Sequence, residues 1–297
     1  MASAVPTLTG GRVRAYVALT KPRIVELLLV TTVPTMVVAA RGLPSGWLVL
    51  ATLAGGSLAA GGANALNMVA DRDIDRLMRR TQGRPLVTGA LTPRAALTFG
   101  LILEAVAFLE LWALVNPLSA ALAVSATLFY VFVYTLWLKR TSTQNIVIGG
   151  AAGAVPVLVG WAAVRGGLSL APLVLFAVIF VWTPPHFWAL AVRYREDYAA
   201  AEVPMLPVVA SFATTARRIV GYSAALWACS LLFAPVAGMG LIYLGAALVL
   251  GALFLHRALL LRREATTERA MQLFTYSISY VTLLFSAMAL DQLVLHR

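Results

Sequence analysis

Apolar residues in this chain form long runs that are separated by short polar segments. The stretch from Leu97 to Leu138 carries only Glu104 and Glu110 as charged residues before Lys139 ends it. Runs of about 20 apolar residues are long enough to cross the hydrocarbon core of a bilayer as helices. The pattern predicts nine such spans, at residues 24–41, 47–69, 95–115, 117–138, 145–164, 170–192, 217–237, 240–260 and 273–294.

The boundaries between the predicted spans contain residues that favour turns. Four of these boundaries are Gly42-Leu43-Pro44, Asn116-Pro117, Gly166-Gly167 and Gly238-Met239-Gly240. Glycine and proline interrupt helices and mark loops. We find no linker, low-complexity tract or internal repeat that would divide the chain. The sequence therefore predicts one all-α domain, residues 1–297, folded as a polytopic membrane helix bundle.

The composition supports a membrane protein. Hydrophobic residues make up 61% of the 297 positions and charged residues 12%, and the mean hydropathy is +0.86. Soluble domains are about half apolar and about a quarter charged. Three histidines and the single Cys229 are too few for us to expect a structural zinc site, which usually needs four such ligands.

The formal charge of +11 reflects topology and not a nucleic-acid partner. With the N-terminus in the cytoplasm and nine spans, all of the 23 lysines and arginines except Arg41, Arg165 and Arg297 lie on the cytoplasmic side. This asymmetry follows the positive-inside rule. An arrangement of eight or ten spans breaks the alternation, so the charges favour nine spans with a cytoplasmic N-terminus and an external C-terminus.

An acidic motif lies at the cytoplasmic end of the second span. Asn67, Asp71 and Asp75 are spaced by four residues, so on a helix they share one face over about 12 Å of rise, while Asp73 points away. Carboxylates at this spacing repel each other, and a cation between them would offset that cost. Magnesium takes oxygen ligands from one or two carboxylates together with substrate phosphates. We therefore predict a magnesium site here.

Basic residues surround this acidic motif at the same predicted membrane face. Arginine guanidinium groups bind phosphate oxygens in a fork, and lysine binds them as a point charge. Acids followed by bases therefore suit a metal-bound diphosphate. An alternative is a solvated helix end with intrahelical ion pairs, such as Asp75 with Arg79. The candidate phosphate-binding residues are Arg79, Arg80, Arg84, Lys139, Arg140 and Asn145.

A second acidic group lies at the cytoplasmic end of the sixth span, in the segment Tyr194-Arg195-Glu196-Asp197-Tyr198. Asp197 is the best candidate there for a further metal ligand and a catalytic role. A charged loop that faces water explains the same segment equally well.

With these motifs the chain resembles the UbiA-type intramembrane prenyltransferases, through Asn67, Asp71 and Asp75. The similarity covers nearly the whole chain. Two segments, Thr183-Pro-Pro-His-Phe-Trp188 and Pro204-Met-Leu-Pro207, resemble in particular the branch of that family that farnesylates protohaem.

The resemblance implies farnesyl diphosphate and protohaem as substrates, Mg²⁺ as the metal, and haem O as a product that serves cytochrome oxidase biogenesis. It also implies a bacterial plasma membrane, with the mouth of the active site at the cytoplasmic face. A downstream haem-modifying membrane enzyme is a candidate partner. Many members of the family carry a second D-x-x-x-D motif. Tyr194 and Tyr198 occupy those positions here, which leaves the ligands of a second magnesium open.

His186 is the candidate haem-binding residue. It lies within the sixth predicted span, where an ionisable residue indicates function by default, and imidazole is a common axial ligand of haem iron. A neutral histidine bonded to a neighbouring helix is the structural alternative.

Two other functions fit parts of the pattern. A sibling prenyltransferase could act on an aromatic quinone precursor or a chlorophyll-type ring, but the His186 segment and Tyr194 and Tyr198 argue against it. A transporter or haem-handling protein without chemistry is the alternative from another class. Transporters show inverted repeats and sites at the midplane of the membrane, whereas this chain has no detectable repeat and places its acidic groups at one face.

Overall fold

The computed structural model describes residues 9–295, except for the side chains of residues 9, 10, 23–29 and 295. Within that range the chain forms helices and turns and no strand. A 3₁₀ turn, Arg79–Thr81, follows α4. The helices are α1 Thr9–Thr20, α2 Pro22–Ala40, α3 Gly46–Ala70, α4 Arg72–Leu77, α5 Pro93–Leu114, α6 Pro117–Thr141, α7 Asn145–Arg165, α8 Leu170–Arg193, α9 Arg195–Ala200, α10 Leu206–Val209, α11 Phe212–Ala237, α12 Leu241–Glu264 and α13 Thr267–Leu295.

Eight helices of the described part, α3, α5, α6, α7, α8, α11, α12 and α13, are long and apolar enough to cross a membrane. The prediction of an all-helical, multi-pass membrane protein is thereby confirmed. The first predicted span coincides with α2, of which only Val30–Ala40 counts as an apolar helix among the described residues. The total of nine spans, which requires α2 to cross the membrane, and the orientation of the N-terminus stay predictions.

Local sequence sets the ends of the long helices. Thr92 and Asn116 cap α5 and α6, because their side chains accept hydrogen bonds from the backbone of Ala95 and Ser119 at 3.2 and 2.8 Å. Proline follows each cap at the first helical position, where its missing N–H costs nothing. The predicted turn residues Gly166 and Gly238 end α7 and α11 with φ values of 68° and 66°, a conformation that glycine adopts without strain.

The long helices pack in chain order, each against the next, and α2 also contacts α7 and α13. The largest apolar core lies between α7, α8, α11, α12 and α13. Its fully buried aromatic side chains are those of Trp188, Phe233, Tyr243, Phe254, Tyr280 and Phe285. This core fixes α8 relative to α13, while α3 packs mainly against α5.

We use the term site face for the end of the bundle where α3, α6 and α8 end. The short elements at this end hold one another through a second small core, in which Ile74 and Met78 contact Tyr198 and Met205. This packing brings the segment after α3 against the segment after α8. The two acidic groups of the sequence therefore meet at the site face.

At the opposite end of the bundle, α13 caps α12. The buried Asp291 carboxylate accepts hydrogen bonds from the backbone N–H groups of Gly240, Ile242 and Tyr243 at 2.6, 3.0 and 3.1 Å. An anion at a helix N-terminus satisfies free donors and complements the helix dipole.

We expect Asp291→Ala to lower the free energy of unfolding in detergent by about 2–3 kcal/mol, because three backbone donors lose a charged acceptor. Thr282→Ala is the matched control in α13, since it removes a methyl group and a hydroxyl that is bonded to the carbonyl of Ile278 in the same helix. If both variants are destabilised equally, the Asp291 carboxylate does not stabilise the start of α12 as we predict.

Candidate active site

Asn67, Asp71 and Asp75 lie on one face, as their spacing predicts. The α-helical hydrogen bonds continue through the break between α3 and α4, because Asp71 N–H donates to Asn67 O at 2.8 Å and Asp75 N–H to Asp71 O at 2.9 Å. All three side chains are buried, and Asp71 is only 1% exposed. The Asp73 side chain is 65% exposed on the other side. The motif is therefore a buried polar face and not a solvated helix end.

Each buried carboxylate of this face is paired with a cation of the chain. Lys139 Nζ lies 2.5 Å from Asp71 Oδ2, and Arg84 Nη1 lies 2.5 Å from Asp75 Oδ2. The intrahelical pair of Asp75 with Arg79, which belonged to the alternative of a solvated helix end, does not form, because Arg79 pairs with Glu196 and Asp197. Buried carboxylates are costly unless they are paired and hydrogen-bonded, so these two cations stabilise the charged motif.

The end of α6 places Lys139 at this face through an unusual turn. Residues Phe129–Leu138 form a π-helix, and Thr135 donates to the carbonyl of Tyr130, five residues earlier, at 2.8 Å. The same Thr135 hydroxyl accepts a hydrogen bond from Asn67 Nδ2 at 3.0 Å. Segments of π-helix are rare and concentrate at functional sites. Apolar periodicity alone predicts a plain helix here and gives no sign of the wider turn.

Lys21 is a site residue that the sequence analysis used only for topology. Its ammonium group donates to Asn67 Oδ1 at 2.9 Å, and its backbone is left-handed, with φ 50° and ψ 64°. That conformation costs about 1–3 kcal/mol in a residue other than glycine, and the position before Pro22 disfavours it further. Burial, assisted by the positive charges of Arg84 and Lys139, lowers the pKa of Lys21 to about 7.

A second group of charges forms where the segment after α4 meets α9. Arg79 donates to Glu196 at 2.8 Å and to Asp197 at 3.3 Å. The backbone N–H of Arg80 donates to the other Asp197 oxygen at 3.2 Å. Asp197 is buried, so both of its oxygens are held by the arginine segment and it does not face water as a loop residue.

Arg80 is clamped by two tyrosines. Its guanidinium lies 4.8 Å from the ring centre of Tyr198 and 5.3 Å from that of Tyr194, and it donates to the Tyr198 hydroxyl at 2.7 Å. Cation–π contacts of this kind stabilise an ordered guanidinium. Burial raises the pKa of Tyr198, so its hydroxyl stays neutral. Tyr194 and Tyr198 thus orient the side chain of Arg80.

A cavity of about 530 Å³ opens beside this second group of charges. Its volume is sufficient for a diphosphate with bound metal. The lining residues are Arg79, Arg80, Arg193, Tyr194, Glu196 and Asp197.

Arg140 faces away from the buried motif. It forks onto both oxygens of Asp73 at 2.7 and 2.8 Å and also donates to the carbonyl of Ala70 at 2.8 Å. The hydrogen bonds from Arg140 lower the pKa of Asp73 to about 2. Arg140, a predicted phosphate-binding residue, therefore takes part in a partly exposed ion pair outside the buried motif.

Several polar atoms in the buried motif lack a partner. Asp71 Oδ1 has no hydrogen bond, nor does either amide atom of Asn145, which is fully buried at the start of α7. Such atoms are costly in an apolar interior unless a ligand satisfies them. The two unpaired oxygen atoms, Asp71 Oδ1 and Asn145 Oδ1, are of the kind that binds magnesium. Within the described residues no three acidic, histidine or cysteine side chains converge.

His186 lies apart from both charge clusters, at the contact between α8 and α13. It is 7% exposed, and its Nδ1 atom lies 2.6 Å from the Ser277 hydroxyl. The imidazole stacks between Trp182 and Phe274, with ring centres 4.3 and 4.7 Å away. His186 therefore makes the bond to a neighbouring helix that the structural alternative expected. Its ring is held by this bond and by the two aromatic neighbours.

These features define an integral multi-pass membrane protein with a charged site at one end of its helix bundle. The chain belongs to the UbiA prenyltransferase family, whose model matches residues 28–284. The predicted class, an intramembrane prenyltransferase, is thereby confirmed.

Two relatives are similar over almost their whole length. A protein from Clavibacter sepedonicus named protoheme IX farnesyltransferase is 54% identical over 286 residues, which cover 95% of this chain and 94% of that protein. A protein of the same name from Frankia alni is 56% identical over 95% of this chain and 99% of its own length. The resemblance to the haem-farnesylating branch is confirmed by these relatives.

Solved structures share the fold. A digeranylgeranylglyceryl phosphate synthase superposes with a TM-score of 0.78 at 17% identity, covering 95% of this chain and 99% of that chain. A UbiA homologue from Archaeoglobus fulgidus bound to DMAPP and Mg²⁺ superposes with a TM-score of 0.63 at 19% identity, over 91% and 99%. At these identities the likeness supports the helix-bundle fold alone.

Proposed function

We propose that the protein transfers a farnesyl group from farnesyl diphosphate to a vinyl group of protohaem and so produces haem O and diphosphate. The observation that carries this proposal is the 54–56% identity, over 95% of the chain, to proteins named protoheme IX farnesyltransferase. The site supports it with a buried acidic motif, several bases and an aromatic-bound histidine on one bundle.

In our proposal, the diphosphate binds by an exchange of ion pairs, in which the carboxylates and the basic side chains give up each other for the metal and the phosphates. In the structure Asp71 and Asp75 are paired with Lys139 and Arg84. A magnesium diphosphate brings a cation for the carboxylates and phosphate oxygens for the bases, so both sets of charges keep partners. Asn67, Asp71 and Asp75 would hold the metal. Asp197 would join them once the phosphates draw the Arg79 side chain away from its Oδ1 atom.

The bases assist departure of the diphosphate. The C1–O bond of farnesyl diphosphate breaks, and its electron pair leaves with the diphosphate. Preorganised cations stabilise the charge that develops on a leaving group, and magnesium, when bound, supplies Lewis-acid stabilisation of the same charge. Arg84 and Lys139 would bind the departing phosphates together with Arg80, which Tyr194 and Tyr198 hold in place. Lys21 and the unpaired Asn145 amide would complete the binding shell, while Arg140 would act at a distance through Asp73.

The allylic C1 then accepts electrons from the haem. A vinyl carbon attacks C1, a carbon–carbon bond forms, and the positive charge moves to the vinyl carbon next to the pyrrole. Water adds there and loses a proton, which leaves a hydroxyethylfarnesyl group. His186 is our candidate for contact with protohaem.

The location of the site follows from the basic residues. Those of the site face belong to the side that the positive-inside rule places in the cytoplasm. We therefore propose a bacterial plasma membrane with the cavity open to the cytoplasm, where diphosphates are soluble. A downstream membrane enzyme that modifies haem O would receive the product.

The direct test is an assay of purified protein in detergent with protohaem, farnesyl diphosphate and Mg²⁺, with the haem analysed by mass spectrometry. We expect a gain of one farnesyl group plus one hydroxyl group, and no product when a chelator removes the metal. Aromatic quinone precursors in place of haem are the control. Product from those acceptors and none from haem would identify a sibling prenyltransferase instead.

A further inference from the structure

Ser277 on α13 contacts His186 on α8 through its side-chain hydroxyl. Its hydroxyl lies 2.6 Å from the backbone carbonyl of Phe274, one turn earlier in the same helix. It also lies 2.6 Å from His186 Nδ1. Serine in apolar helices commonly donates to such a carbonyl of its own helix.

These two short contacts determine which ring nitrogen of His186 carries the proton. A carbonyl oxygen only accepts, so the single hydroxyl hydrogen of Ser277 is needed for Phe274 O. The contact with His186 then requires a hydrogen from the imidazole, because a hydroxyl has one donor and two lone pairs. Nδ1 therefore bears the hydrogen, and Nε2 of the neutral ring carries the free lone pair.

The aromatic neighbours fix the direction of that lone pair. Trp182 and Phe274 stack on the two faces of the imidazole, and Phe187 meets its edge at 5.0 Å. Trp182 is itself held, because its indole N–H donates to the backbone carbonyl of Ser277 at 2.9 Å. Among the described residues, the side-chain hydrogen bond found for the His186 ring is the one through Nδ1.

We infer that Ser277 is a positioning residue that holds His186 as an Nε2 ligand for the iron of the haem substrate. Histidines that bind metals donate their other N–H to a partner, which sets the tautomer and raises the basicity of the ligating nitrogen. The Ser277–His186–Trp182 arrangement has that form. The inference deepens the proposed function, because it states how protohaem is held.

The test is resonance Raman spectroscopy of ferrous haem bound to the purified full-length protein, together with a haem titration. We expect an iron–histidine stretch in the wild type that His186→Gly abolishes and added imidazole restores. Ser277→Ala should lower that stretching frequency and weaken haem binding about 10–100-fold, and Ser277→Thr should restore both. Ser277→Cys, which is nearly isosteric but a weak hydrogen-bond acceptor, replaces Ser277→Ala if that variant does not fold.

Ser223→Ala is the matched control, because Ser223 is fully buried in α11 and bonds only the carbonyl of Ile219. It should leave both readings unchanged. An iron–histidine stretch that is absent from the wild type, or unaltered in the Ser277 variants, would overturn the inference. Haem O formation by the wild type is measured in parallel. Haem O formation without an iron–histidine stretch would overturn the inference and support the proposed function. An iron–histidine stretch without haem O formation would support the ligand role of His186 and count against the proposed function.

Discussion

Asp71→Asn is expected to lower the turnover of farnesyl diphosphate about 10³-fold per folded protein. The substitution keeps the size of a side chain that is 1% exposed but removes the negative charge that we propose for metal binding. Loss of one preorganised electrostatic contact in an active site costs about 10²–10³-fold, and a weakened metal site adds to that loss. The measurement is kcat/KM for haem O formation, at a magnesium concentration that saturates the wild type.

Asp73→Asn is the matched control two residues along the same segment. Asp73 pairs with Arg140 on the exposed side of α4, and exposed ion pairs contribute at most about 1 kcal/mol. We expect its activity to fall no more than about fivefold. If both variants lose activity equally, the buried face has no special role and the metal site is wrong.

The sequence predicted the helix bundle well because its signals are local. The predicted span 47–69 is one residue shorter than α3 at both ends, and the predicted span 145–164 ends one residue before α7 does. The largest differences are at α11 and α13, which begin at Phe212 and Thr267, five and six residues early. Hydropathy marks only the apolar part of a helix, whereas a cap such as Ser211 starts it in the polar region.

The candidate site was predictable only where helical spacing determines it. Asn67, Asp71 and Asp75 share a face because i, i+4 spacing makes them do so. The partners of these residues come from distant parts of the chain. Nothing local to Lys21 or Thr135 indicates contact with Asn67, which lies 46 and 68 residues away. Tertiary packing and a π-helical turn bring them together.

The same limit applies to the second group of charges. A helical rule pairs Arg79 with Asp75, four residues apart, whereas the fold pairs Arg79 with Glu196 and Asp197 across more than 100 residues. Ile74, Met78 and Tyr198 pack beneath these charges. Burial of those apolar side chains, and not the ion pairs, determines which charges meet, because exposed ion pairs are worth little.

Lys139→Met is expected to make the stability of the protein depend on magnesium. The variant leaves the Asp71 charge buried without its partner, and breaking a buried ion pair in this way costs about 3–5 kcal/mol. A divalent cation can then bind Asp71 with no lysine to displace. We expect Mg²⁺ alone to raise the unfolding midpoint of Lys139→Met by several degrees in detergent, and to leave that of the wild type nearly unchanged.

In the wild type, the exchange of ion pairs requires phosphate as well as metal. Mg²⁺ and inorganic diphosphate together should raise its unfolding midpoint, while either alone should not, because each alone leaves one set of charges without partners. Arg140→Met is the control for Lys139→Met, since its partner Asp73 is exposed and gains nothing from a metal. A Lys139→Met variant that is as stable as the wild type and indifferent to Mg²⁺ would show that Lys139 does not hold the place of the metal. Asp71 would then need another role.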